Sequence, residues 1–353
     1  MNSKGTENSS LGNTDLKAQR KLIQGQLSMG KLIFLAAISL LLSVFGPLSL
    51  MAPIPLTMAF LLYGKSRALV MGLGIACLLW ALSFGFKELN QLVYSAGVFS
   101  LALVYAYLIQ SSIRQKIAPM KALIITGAKL LGFWSLLLFV TAAMMNFQVK
   151  TKLTEALGER IEYFKTSETY SQQYQTLKNS SAEEAKVLLD TLEKPEMIVE
   201  AALNWAPASL FVGTFFSLWL CLFIVMRNSI LWRPLWNYPH TIIQMIRFRM
   251  PDVFVWPLIA GLVLFLGGEY IGFTLGEILG GNLLIGLSVF YFFQGFGIVI
   301  ESLTYFGVLG IFRSLLLVFI LFFAWRFVVL IGLFDTWINF RKFLKNKDEG
   351  DRS

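Results

Sequence analysis

Charge is what this sequence has least of. Only 14% of its 353 residues are Asp, Glu, Lys or Arg, where an ordinary soluble domain carries about 25%. Such a shortage excludes a water-solvated globule. Histidine occurs once, at His240, and cysteine twice, at Cys77 and Cys221. With both cysteines set in separate apolar runs, a disulfide framework and a zinc or iron centre are excluded, and no metal ligand or cofactor is assigned. Catalytic signatures are missing as well. There is no GxxxxGK[ST] phosphate loop, no HExxH helix and no GxSxG elbow, and no apolar run holds a pair of carboxylates placed for acid–base work. The expectation is a protein that is not an enzyme.

What the chain has in quantity is apolar sequence: 56% hydrophobic residues, among them 31 phenylalanines. A mid-bilayer charge costs roughly 2.5–3.5 kcal/mol, so charge depletion and long apolar runs together indicate an all-α integral membrane protein. The runs cover residues 32–50, 54–63, 68–86, 89–109, 122–147, 203–226, 253–271, 275–300 and 303–334. A span needs about 20 apolar residues. The second run is shorter and opens on the break Ala52-Pro53-Ile54-Pro55, which suits a tilted span or a re-entrant segment. About eight to ten crossings are expected. The implied organisation is a cytoplasmic disordered tail (1–30), N-terminal membrane helices (31–147), an extracytoplasmic helical insert (148–202), C-terminal membrane helices (203–336) and a basic cytoplasmic tail (337–353).

The stretch 227–256 anchors the orientation. It holds Arg227, Arg233, Arg247 and Arg249, the lone His240, three prolines (Pro234, Pro239, Pro251) and the aromatics Trp232, Trp236, Tyr238 and Trp256. Arginines flanked by aromatics at the ends of apolar runs mark the cytoplasmic membrane–water boundary. Lys17, Arg20, Lys21 and Lys31 place the N-terminus inside, and Lys65, Arg67, Arg114, Lys116 and Lys121 fall in alternate loops. The net charge of +9 is thus a cytoplasmic-loop bias, not a nucleic-acid footprint. One count conflicts: nine crossings would put the C-terminus outside, yet Arg341, Lys342, Lys345 and Lys347 ask for the inside. Either one run is re-entrant or residues 275–334 hide another crossing, with Glu301 and Arg313 marking where a break could fall.

Residues 148–202 read as helices. Leu153, Leu157, Ile161 and Phe164 keep helical spacing, which Tyr170, Tyr174 and Leu177 continue. Ser181 with Glu184 forms a capping box, and Pro195 can open a further helix. The segment is either a helical spacer or a lid or partner-docking module, its apolar stripe resting on the membrane domain or a second copy.

Ionisable groups near apolar runs are the functional pointers, because burying them is expensive. Glu301, Arg313 and Arg326 form the tentative ligand-binding set; the alternative is a structural salt bridge from Glu301 to Arg313 or Arg326. Asn282 and Gln294 are uncharged amides in the 275–300 run, about 18 Å apart along a straight helix, and are either ligand contacts or helix–helix hydrogen bonds. The glycines from Gly267 to Gly297 permit close packing or a broken helix of the kind that builds transport sites.

Three motifs occur in order: Phe248-Arg249-Met250-Pro251, then Gln294-Gly295, then Gly332-Leu333-Phe334-Asp335-Thr336-Trp337 followed by Phe340-Arg341. Behind the Pro53–Pro55 break, this set resembles the YybS-like bacterial membrane proteins of DUF2232 type, and the likeness points to Arg249, Pro251, Gln294, Gly295, Asp335 and Arg341 without a role for any. Asp335 and Arg341 could equally form a helix-end ion pair or cap. Through that family the chain is distantly similar to the S-components of energy-coupling-factor transporters, which implies a bacterial inner-membrane protein that binds or transports a small solute within a helical bundle. The alternative is a membrane scaffold or assembly factor working through its external helices or the arginine connector, with a membrane partner or a second copy as its occupant.

Overall fold

The computed structural model describes residues 28–85, 90–167, 171–179 and 183–343. The N-terminal tail, Tyr170, Ser181 of the capping box and Lys345 and Lys347 lie outside them. Regular structure among the described residues is entirely helical. In chain order it comprises α1 (Met29–Val44), a 3-10 turn (Gly46–Met51), α2 (Pro53–Tyr63), α3 (Lys65–Gly85), α4 (Asn90–Arg114) and α5 (Pro119–Met144). Then come α6 (Val149–Thr166), α7 (Ser171–Lys178), α8 (Glu183–Leu192), α9 (Pro195–Arg227), α10 (Ser229–Trp236) and α11 (Ile243–Ile246). A second 3-10 turn (Asp252–Phe254) leads into α12 (Val255–Ile271), α13 (Thr274–Tyr305), α14 (Gly310–Phe323) and α15 (Trp325–Ile338).

Among the described residues, seven stretches are long and apolar enough to cross a membrane, or eight if α14 and α15 are taken as one span bent by 93°. Eight meets the low end of the eight to ten expected, and seven falls one short. Part of the difference is α1, which at 16 residues rises about 24 Å against a hydrocarbon core of about 30 Å.

The chain divides into two units that interleave in sequence: 1–130 with 213–252 and 288–353, and 131–212 with 253–287. In the first unit, the Pro-Ile-Pro break is a helix start. Pro53 occupies the first turn of α2, where its missing N–H is not needed, and Ser39 of α1 donates to the carbonyl of Ala52 (2.7 Å). Gly64 ends α2 at φ +84°, a conformation glycine adopts without Cβ strain. The phenol of Tyr63 returns to the carbonyl of Ser28 (2.9 Å), so α1 and α2 form a hairpin whose ends meet. Leu32, Leu56, Phe60, Ala96 and Phe99 pack its interior against α4.

The connector after α9 is pinned by aromatic donors. Trp232 Nε1 donates to Val225 O (2.9 Å) and Trp236 Nε1 to Leu61 O (2.8 Å). Both acceptors lie in the last turn of a helix, where carbonyls lack an intrahelical partner. The hydroxyl of Tyr238 donates to Ile117 O (2.7 Å), and His240 Nε2 lies 3.0 Å from Lys116 O. Burial pushes the Tyr238 phenol above its ordinary value. These contacts gather the ends of α2, α4 and α9, with the basic residues that follow each, at one end of this unit.

The α14–α15 pair falls where the crossing count conflicts. Arg313, near the start of α14, reaches Ile300 O (3.4 Å); Arg341, past the end of α15, pairs with Glu301 (3.0 Å). Both ends of the bent α14–α15 pair therefore touch the same end of α13. Close approach of α15 to α13 depends on glycine: a Cβ on Gly295 would overlap Val328 O, and one on Gly332 would overlap Tyr291 O. Between those two positions of α13, Phe293 stacks on Trp219 of α9 (5.0 Å, 10° between planes).

In the second unit, Ile161 of α6 is buried, Phe164 meets Tyr174 edge-on (6.4 Å), and Lys150 pairs with Glu200 (2.7 Å). Pro195 opens a helix, as its place in the sequence suggests: α9 runs from it for 33 residues, about 50 Å. Gly280 of α13 packs where a Cβ would meet the backbone of Phe265 and Gly261. The glycines of α13 serve close packing, since the helix runs continuously through them.

Gly295→Val or Gly332→Val should each prevent α15 from docking, beyond the usual overpacking loss of about 1–3 kcal/mol because the obstructing atoms are backbone. Loss of a monodisperse peak in size-exclusion chromatography would report it. Gly132→Ala, whose Cβ meets nothing, should elute as wild type.

Candidate functional site

The family-like motifs meet through one side chain. Gln294 is fully buried on α13. Its Oε1 accepts from the backbone N–H of Met250 (2.7 Å), the residue before Pro251, and its Nε2 donates to Asp335 Oδ2 (2.9 Å). The other oxygen of Asp335 accepts from Phe340 N–H (2.8 Å), closing the chain over the left-handed Asn339 that ends α15. Asp335 is 1% exposed, and a buried carboxylate needs such donors. So Asp335 caps the turn into 340–343, while Arg341 takes a different acid.

Beside this network lies a cavity of about 790 Å³, within the size range of small-ligand sites. Four arginines line it: Arg247 and Arg249 from the connector, Arg313 from α14 and Arg341 beyond α15. Glu301 and Asp335 are the lining acids, and Thr304, Tyr305 and Asn339 add neutral polar groups. Glu301 sits between Arg341 (Nε to Oε2, 3.0 Å) and Arg247 (Nε to Oε1, 3.4 Å). Arg341 also donates through Nη2 to Ile246 O (2.9 Å). Its Nε–H makes no hydrogen bond, so proximity of charge, not N–H direction, holds it to Glu301. A Cβ on Gly297 would overlap Ile246 O, which lets α11 lie against α13 and brings Arg247 into place. Arg249 lies 3.6 Å from Asp252 and 3.5 Å from Thr336 O.

The expected pairing of Glu301 with Arg313 or Arg326 is not the one formed; the partners are Arg247 and Arg341. The connector supplies a cation two residues before the Arg249 motif, and the turn after α15 swings Arg341 back to α13. Of the tentative ligand set, Glu301 and Arg313 share the cavity, and Gln294 stands directly behind it through Asp335. Arg326 is elsewhere: exposed, its guanidinium over the ring of its neighbour Trp325 (5.4 Å). Of the motif residues, Arg249, Asp335 and Arg341 line the cavity, Gly295 enables the helix contact, and Pro251 is exposed. Pro53 and Pro55 are buried in the first turn of α2. Sequence reasoning passed over Arg247, Thr304, Tyr305 and Asn339 as site residues; the one signal for Arg247 was its place among the interface arginines.

Asn282 belongs to the second unit and is structural there. Pro207 sits inside α9 and disrupts the local ladder. Asn282 Oδ1 accepts from Ala208 N–H, and its Nδ2 donates to Asn204 O, both at 2.8 Å. One amide thus bridges the donor and acceptor that an undisturbed helix would join directly.

Fold and site define a polytopic, all-helical membrane protein with a cation-lined cavity. A family model described as a predicted membrane protein (DUF2232) matches residues 32–336, and the chain belongs to that family. No curated protein and no solved structure matches it.

Gln294→Leu should strand Met250 N–H and one oxygen of Asp335, at a cost of about 3 kcal/mol or more; a Tm in detergent as high as wild type would contradict the network. Asn282→Ala should cost about 1–3 kcal/mol and less when combined with Pro207→Ala, where the helix can restore its own bond. A double-mutant cycle on unfolding free energy measures the difference.

Proposed function

We propose that this chain is a membrane-embedded binding protein for a small anionic solute or group, taken in the arginine-lined cavity. The convergence of Arg247, Arg249, Arg313 and Arg341 on one cavity carries the reading. Guanidiniums stay protonated and present forked donors suited to carboxylate and phosphate oxygens. They are not proton-transfer groups, and the two lining acids are already engaged by arginine, amide or backbone, which favours a binder over an enzyme. The distant S-component resemblance read from the sequence would imply solute capture in the same sense. The cavity lies at the last turns of α13, with Ile300 and Tyr305 in its wall. That position supports capture at one membrane surface, with transport as a coupled step supplied by a partner.

In this reading the protein resides in the bacterial inner membrane with the basic end cytoplasmic, following the positive-inside bias. If α1 crosses along with the seven longer stretches, the count is eight. An even number fits the placement of Ser28 and Arg341 with the basic connector.

The scaffold reading has its own support. Tyr163 of α6 and Val187 of α8, outside the candidate spans, are exposed apolar side chains that a membrane partner or a second copy could cover.

Purified protein in nanodiscs should gain several degrees in Tm with a subset of small anions and none with matched cations, since a ligand at 100 times its Kd adds about 2.7 kcal/mol. Absence of any anion effect, or an equal effect in Arg247→Gln with Arg313→Gln, would remove the binding reading. A cysteine at position 237 should be labelled by a membrane-impermeant maleimide only after the cells are opened; labelling of intact cells would reverse the orientation. Tyr163→Glu with Val187→Glu should dissociate a homo-oligomer in light scattering if a second copy is the scaffold's partner.

A further inference from the structure

The charge balance of the cavity narrows its ligand, an inference that rests on the anion-binding reading. Four guanidiniums face two carboxylates, an excess of two formal positive charges. Asp252 approaches Arg249 only from outside the lining, at 3.6 Å and largely exposed. One carboxylate or phosphodiester would leave a positive charge over. A phosphomonoester near neutral pH carries close to two negative charges and three acceptor oxygens. The donors match it in number: among the described residues, Arg247 is engaged only through Nε, and Arg313 only through one Nη2, of the five N–H donors each guanidinium has. Both come from different elements, so they can approach one phosphoryl group from two directions.

We infer that the cavity binds a phosphomonoester dianion. The group could arrive on a soluble metabolite-sized ester or as the headgroup of a membrane amphiphile. The second source gains support from the wall's own chain: between the lining residues Tyr305 and Arg313 runs a turn whose Phe306, Leu309, Ile311 and Phe312 are all exposed. An acyl chain would lie against those side chains while the phosphoryl group sat among the arginines.

Isothermal titration of the intact protein in nanodiscs tests this with four probes: glycerol 3-phosphate, inorganic phosphate, dioctanoyl phosphatidic acid and dioctanoyl phosphatidylglycerol. At least one monoester or inorganic phosphate should bind tenfold or more tightly than the diester phosphatidylglycerol. Affinity should fall about tenfold from pH 7.5 to pH 5, as the second phosphate ionisation near pH 6 reverses. Arg247→Gln, whose side chain is 62% exposed and so not needed for packing, should weaken binding at least tenfold, as should Arg313→Gln. Arg326→Gln should bind as wild type. Preference for phosphatidic acid over glycerol 3-phosphate would assign the amphiphile, and the converse the soluble ester; either supports the inference. Equal binding of phosphatidylglycerol and the monoesters, or affinity independent of pH, would overturn the phosphomonoester assignment while leaving an anion site. No binding of any probe, together with no stabilisation by other anions, would overturn both.

Discussion

A buried amide holds this structure's basic end together. Gln294 has to satisfy a backbone N–H before a proline and half of a buried carboxylate at once. In a lipid-embedded helix neither group could turn to water, and an unpaired polar group there costs several kcal/mol. An amide is the side chain that can do both, because it carries an acceptor and a donor on one planar group. A carboxylate in its place would repel Asp335, and an apolar residue would orphan both partners. The connector, α13 and the end of α15 are therefore fixed to each other by one residue. The arginines they carry inherit that geometry.

Packing supplies the second constraint. Lipid tails are as apolar as the helices, so burying apolar surface gives little reason for helices to associate, and close backbone approach does more of the work. Gly295 and Gly332 allow α13 and α15 to approach until each helix's carbonyl fills the space where the other's side chain would be. Gly297 does the same for α11. Those contacts set the level at which Asp335 meets Gln294 and Arg341 meets Glu301. Small residues and the polar network are thus one device: the glycines bring backbones close enough for short side chains to reach across.

The membrane class, the helical character of 148–202 and the clustering of basic loops could be read from the sequence, because each follows from local composition or period. Gln294, Glu301, Arg249, Asp335 and Arg341 were also visible as costly or motif residues. Their mutual arrangement was not. The pairing of Glu301 depends on a 93° bend at Ala324 and on a left-handed turn at Asn339, and neither has a hydropathy signature. Arg326 was misleading for the reverse reason. A charge flanked by apolar residues looks buried in one dimension, whereas its place on α15 leaves it exposed and stacked on Trp325. Asn282 looked the same as Gln294, yet its partner is the ladder interrupted by Pro207, a residue 75 positions away that only the folded chain brings near.

Four arginines kept in one cavity repel one another, and Glu301 and Asp335 offset only part of that. A fold optimised for stability alone would gain by losing one cation or adding an acid. The surplus instead sits where the connector is held to its neighbours: Met250 N–H donates to Gln294 Oε1, and Arg341 donates to Ile246 O. Those bonds fix the backbone beside Arg247 and Arg249, while the Arg247 side chain itself is 62% exposed. If the cavity takes the dianion proposed above, two negative charges would remove that repulsion without any rearrangement of the fold.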